Sequence, residues 1–130
     1  MSENKKFLFF KMYGCGPCQN FEEGPWRQLI NDKDLKHIEF EKYEWGKKRD
    51  VNGNIAFYRL PQQYSFVTYG PYICLQSKKD PKDIVTYDPR KKRTLTALKK
   101  WILENSGKNN HNFRSLYSNK KPKNNEFLLF

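Results

Sequence analysis

The stretch Phe7 to Glu22, FLFFKMYGCGPCQNFE, decides how this chain is read. An apolar run, Phe7 to Phe10, gives way to Gly14, then to Cys15-Gly16-Pro17-Cys18, then to polar residues. Lys5 to Tyr13 reads as a strand that is apolar on both faces, which places it in the middle of a sheet. Proline is favoured in a first helical turn, so a helix is expected to begin around Gly16-Pro17. The two thiols therefore fall at a junction between a central strand and a helix N-terminus.

Outward from that junction, the first helix carries Phe21, Leu29 and Ile30 and is expected to end near Asn31-Asp32. Gly24-Pro25 should kink or break it. Lys36 to Tyr43 alternates, with Ile38 and Phe40 on one face and Glu39 and Glu41 on the other, as in a half-buried strand. Residues 46–54 are charged and turn-like, with Asn52-Gly53 as the turn signal. Asn54 to Gln63 is expected to hold a short helix bounded by Pro61. Tyr72 to Gln76 and Asp83 to Tyr87 read as two strands of a hairpin. Leu95, Leu98, Trp101 and Ile102 recur at helical spacing, with Thr94 or Thr96 as cap and Gly107 as stop. The order is β, α, β, short α, β, β, α. Strands one and two should be parallel because a helix joins them. The predicted architecture is an α/β fold: a mixed four-stranded sheet with helices on both faces, over residues 1–107, followed by a C-terminal tail over 108–130.

A thiolate, not a thiol, attacks disulfides and binds metals. Unpaired N–H groups and the dipole at a helix N-terminus favour negative charge on sulfur. Cys15, just before the helix, is the expected nucleophile. Cys18, in the first turn, can swing back to resolve a mixed disulfide. A zinc site would need two further ligands, and only Cys74, His37 and His111 remain, scattered over strand and tail. A structural disulfide would close a tiny loop and add little stabilisation. No metal and no cofactor is expected. Cys74, inside the apolar run YICLQ, reads as a buried core residue.

At these residues the chain resembles the thioredoxin family, in which a strand is followed by Trp-Cys-Gly-Pro-Cys and a helix. YSFVTYGPYICL, Tyr64 to Leu75, is similar to the family's Tyr, connector, cis-proline and apolar strand. The resemblance spans about residues 5–107. It implies a thioredoxin-like fold, thiol–disulfide exchange on protein substrates through Cys15 and Cys18, and substrate contacts from Gly14, Gly16, Pro17, Gly70 and Pro71. Pro71 would be the cis-proline, packed against the cysteines, and the Gly70 backbone would pair with an extended substrate. Partners would be proteins with disulfides, and a reductase or small thiol to restore the dithiol. The Gly-Pro spacer implies a reducing potential, with about −270 mV as a guide. Departures from the family are Gly14 for Trp, Phe9 for a buried Asp that assists the second thiol, and Gly70 for Ile, Thr or Val. The connector to Pro71 is one residue long by comparison, and the first strand and helix of full-length thioredoxins have no counterpart. Either the exchange is slower or the fold serves another purpose.

The 130 residues suffice for one modest core, and with 16% aromatics it should be built from Phe, Tyr and Trp. Three cysteines argue against a secreted disulfide scaffold. Phe7 to Phe10 is too short for a signal or membrane segment, so a cytoplasmic protein is expected. The net charge of +11 favours acidic partners. The tail contributes Lys108, Arg114, Lys120, Lys121 and Lys123 against Glu126, and ends in the apolar Phe127-Leu128-Leu129-Phe130. The run Arg90 to Arg93 lacks interleaved aromatics, which argues against a nucleic-acid partner. Charge, tail and departures from the family support a second reading: a structural or assembly protein, such as a minor capsid component of a large DNA virus. It would bind acidic neighbours through residues 108–130 and reside in the virion.

Overall fold

The computed structural model describes residues 5–106. Five strands, β1 (Lys5–Met12), β2 (Glu39–Arg49), β3 (Ile55–Tyr58), β4 (Tyr72–Ser77) and β5 (Ile84–Thr86), form one mixed sheet in the order β3-β2-β1-β4-β5. β1 runs parallel to β2, from Lys6 beside Glu39 to Met12 beside Trp45. It runs antiparallel to β4, with Phe7 beside Leu75 and Phe9 beside Ile73. β1 is central, as its apolar run requires: Phe7, Leu8, Phe9 and Phe10 are all fully buried. Burying side chains of this size contributes roughly 1.5–3 kcal/mol each before entropy is charged against it.

The period-2 geometry of β1 divides the core. Phe7 and Phe9 point to one face, where Phe21, Trp26 and Leu29 of the first helical segment meet Leu98 and Ile102 of α3 (Leu95–Asn105). Leu8 and Phe10 point to the other, against Tyr64, Val67, Tyr72 and Cys74. Cover is unequal. Both long helical segments lie on the Phe7 and Phe9 face. The opposite face is closed by the connection to β4, whose helical content is one 3-10 turn, Gln62–Tyr64. Tyr64 anchors that turn by donating from its hydroxyl to Gln76 Oε1 at 3.0 Å.

Two segments differ from the sequence expectation. The sheet has five strands, not four: residues 55–58 form edge strand β3, paired with residues 46–49 of a lengthened β2, where a short helix was expected. The Asn52-Gly53 signal is the cause. Gly53 adopts φ +86, and Asp50 accepts from the backbone N–H groups of Asn52 and Asn54, so the chain reverses into a hairpin. The first helix does not break at Pro25. α1 (Gly16–Phe21), a π-helical turn (Glu22–Trp26) and α2 (Arg27–Ile30) follow one another through helical dihedrals at Glu22 and Arg27. A wider turn accommodates a proline that lacks an N–H and crowds the preceding turn. Trp26 is buried and Ile30 faces outward.

α3 starts where expected: Thr94 Oγ1 accepts from the Ala97 N–H at 3.2 Å. Lys99 ties α3 to Asp32 (3.1 Å) and Asp34 (2.7 Å) after α2. In the run from Arg90 to Arg93, Arg90 is paired to Asp88 at 3.0 Å. Among the described residues no helix is long and apolar enough to cross a membrane. Gly107 and the expected tail, residues 108–130, lie outside the described residues.

Candidate functional site around Cys15 and Cys18

The end of β1 is turned into α1 by Gly14, whose φ of +78 lies in the left-handed region that favours glycine. The Cys15 N–H donates to the Met12 carbonyl at 3.2 Å, which closes the turn. Cys15 is the N-cap of α1, in extended conformation, and its Sγ accepts from the Cys18 N–H at 3.3 Å. A sulfur thus takes the place that a Ser or Asp oxygen usually holds at a helix start. Cys15 is half-buried, whereas Cys18 is fully buried. Burial, reinforced by the Cys15 contact, pushes the Cys18 thiol up to about 12. The Met12 N–H, which donates to Cys18 Sγ at 3.5 Å, and the Lys11 charge oppose that rise without overcoming it. All three cysteines are free.

Residues far away in sequence complete the site. The Gly70–Pro71 peptide is cis, and Cys15 Sγ lies 3.6 Å from the Gly70 carbonyl oxygen, which accepts from it. A Cβ on Gly70 would stand 2.5 Å from Cys18 Sγ, so the buried thiol fills the space that a side chain there would need. Gly14, Gly16 and Pro17 are exposed around Cys15, while Pro71 is buried. The structure therefore gathers Cys15, Cys18, Gly70 and Pro71, with Gly14, Gly16 and Pro17 on the rim. The fold is thioredoxin-like: a strand, a dithiol at a helix start, a parallel strand, and an antiparallel hairpin whose first strand follows a cis-proline.

Among solved structures the chain is similar to the crystal structure of the periplasmic thioredoxin SoxS from Paracoccus pantotrophus in its reduced form. The two share 17% sequence identity with a TM-score of 0.48, over 75% of this chain and 95% of that one. No protein-family model matches the sequence, and no curated protein matches it.

Phe9, at the position of the family's buried Asp, is locked in an aromatic cluster. Its ring lies 4.7 Å from Phe21 and 5.2 Å from Trp26, centroid to centroid. The polar groups near the dithiol stand elsewhere, and the sequence analysis did not single them out. Lys11 pairs with Glu22 at 2.6 Å, Lys42 pairs with Glu22 and with Glu44 at 3.5 Å, and the Tyr13 hydroxyl donates to Glu44 at 3.1 Å. Burial would raise the Glu22 carboxyl, but the two ammonium groups outweigh it and hold it below its usual value. The face of each strand residue was readable from alternation, since Lys11 follows Phe9 and Lys42 follows Phe40. Their meeting with Glu22 was not, because the helix crossing sets it.

Cys74 is fully buried with Leu8 and Phe10, and burial pushes its thiol up to about 12. Among the described residues no group of three His, Cys, Asp or Glu side chains converges as a metal-ligand set.

Proposed function

We propose that the protein is a thiol–disulfide oxidoreductase acting on protein disulfides, with Cys15 as attacking and Cys18 as resolving thiol. One observation carries the reading. A half-exposed sulfur sits at a helix N-cap, accepting a backbone N–H, directly beside a fully buried second sulfur.

The Cys15 thiolate attacks one sulfur of the substrate disulfide. The substrate S–S bond breaks, a mixed disulfide forms, and the departing substrate thiolate takes up a proton. Cys18 then gives up its proton and attacks Cys15 Sγ. The second substrate thiolate leaves, and a Cys15–Cys18 disulfide remains, two electrons having passed to the substrate. A reductase or small dithiol returns those electrons. The Gly70 carbonyl, 3.6 Å from the attacking sulfur, and the exposed Gly14, Gly16 and Pro17 that flank Cys15 in the chain support a substrate-binding role for this loop and for the Gly70-Pro71 segment. The cytoplasm, where thiols are kept reduced, suits this direction of electron flow.

The test is turbidimetric reduction of insulin by dithiothreitol, with and without the protein. The parent chain should accelerate it and Cys15→Ser should not. Cys18→Ser should accumulate a mixed disulfide with substrate, visible by mass spectrometry under non-reducing conditions. Full activity in Cys15→Ser would sink the reading.

A further inference from the structure

The β2–β3 hairpin ends beside the thiol loop. Tyr13, two residues before Cys15, meets Tyr58 of β3 ring to ring at 5.5 Å, and Lys48 Nζ lies 4.9 Å over the Tyr13 ring. β3 is an edge of the sheet, so alternate backbone N–H and C=O groups along it lack a strand partner. Edge strands are usually guarded by charge or proline, yet Ile55-Ala56-Phe57-Tyr58 carries neither. Its apolar side chains are bare: Ile55 is 66% and Phe57 57% exposed. Beside it lies an open groove of about 430 Å³, lined by Trp45, Phe57, Tyr58, Arg59, Leu60 and Val67 among others.

Charge around this edge is one-sided. Residues 45–60 hold Lys47, Lys48, Arg49 and Arg59 against Asp50 alone. The Asp50 carboxylate is spent on the turn, where it accepts from Asn52 and Asn54. None of the four cations forms an ion pair among the described residues, whereas the strand lysines Lys6, Lys11 and Lys42, and Lys78 just after β4, are each paired to a carboxylate. Arg59 instead lies 5.3 Å over the Phe57 ring.

We propose that the β3 edge and its groove dock an acidic, extended segment of the protein substrate, which adds to the sheet at β3 and seats an apolar side chain in the groove. The proposal rests on the oxidoreductase reading and names its substrate class. Strand addition supplies backbone hydrogen bonds, the groove supplies an anchor, and the four cations supply sign selectivity and faster encounter. A polypeptide is favoured over a nucleic acid because the edge offers strand-pairing groups, and two of the rings are covered by the protein's own cations.

The test uses the full chain and a short fluorescein-labelled peptide, rich in Glu around a central Leu and free of cysteine, followed by anisotropy. Binding should appear and weaken as salt rises. Replacing Lys47, Lys48 and Arg59 together by Ser should weaken it about tenfold or more. Replacing Lys79, Lys82 and Lys91 together by Ser removes the same charge elsewhere, and should leave it within about twofold. Absence of binding, equal loss in both triple variants, or tighter binding of single-stranded oligothymidylate than of the peptide would each overturn the strip. Because the peptide has no cysteine, failures separate. A chain that binds it but does not reduce insulin keeps the strip and loses the oxidoreductase reading. One that reduces insulin without binding it loses the strip alone.

Discussion

Gly70 and Cys18 share one volume, and that explains a residue choice the sequence showed only as a departure. Thioredoxins carry a branched side chain before the cis-proline, and here a Cβ would meet Cys18 Sγ at 2.5 Å and the Met12 backbone N at 3.3 Å. Gly70→Val should therefore destabilise the fold by about 1–3 kcal/mol in urea unfolding, the usual cost of overpacking. It should also expose Cys18 to alkylation in the native state. Adding Cys18→Ala, which removes the sulfur, should recover part of the loss. Parent-like stability and alkylation in Gly70→Val would mean that the contact is not limiting. Gly14 departs for a different reason. Nothing lies within 4 Å of a Cβ there, but φ is +78, so backbone conformation rather than space disfavours the family's Trp. Neither reason is visible in the sequence, because one depends on a residue 52 positions earlier in the chain and the other on a turn.

At the level of elements, the helix that carries the thiols contains its own weak point. Gly24 and Pro25 lie in the π-helical turn, so Gly24 holds helical backbone directly before a proline. There a Cβ is crowded by the proline Cδ, and Gly24→Ala should lower stability instead of bringing the gain of about 0.5–1 kcal/mol usual for Gly→Ala at an unstrained helical position. Thermal unfolding followed by circular dichroism measures it, and a raised midpoint would count against the reading. The sequence marked the interruption through Pro25, but not that a wider turn would absorb it. β3 was missed for a related reason. Ile55 to Tyr58 has no alternating pattern, because three of its four residues are exposed, and only pairing with β2 makes it a strand. The turn signal at Asn52-Gly53 was present, and reading it as a hairpin signal would have found the strand.

For the whole molecule, buried thiols set an alkaline limit. The ordinary thiol value is 9.0, and in the fold Cys18 and Cys74 rise to about 12. Below 9.0 both states keep their protons and nothing is lost. Between 9.0 and about 12 the unfolded chain has given up thiol protons that the folded chain retains, so stability falls as pH rises. Cys74 alone accounts for a loss on the order of 3–4 kcal/mol across that window. Urea unfolding at stepped pH should show the decline, and Cys74→Ala should make it shallower while costing core packing at every pH, the part due to Cys18 remaining. A decline of equal slope in Cys74→Ala would assign it to Cys18 and to the raised tyrosines Tyr13, Tyr69 and Tyr87.

The sequence by itself determined the central strand, the capped final helix, the thiol pair at a helix start and the core role of Cys74. Each is a local matter: a run of apolar residues, a Thr before an amphipathic stretch, a proline in a first turn. Hydrophobic pattern and capping act over a few residues, and so they survive in a linear reading. Tertiary structure decided the rest. It placed Gly70 against Cys18, gathered Lys11, Glu22, Lys42 and Glu44, put both long helical segments on one face and made residues 55–58 an edge beside the thiols. These depend on strand register and helix crossing, which are set by the packing of the whole core rather than by any segment of it.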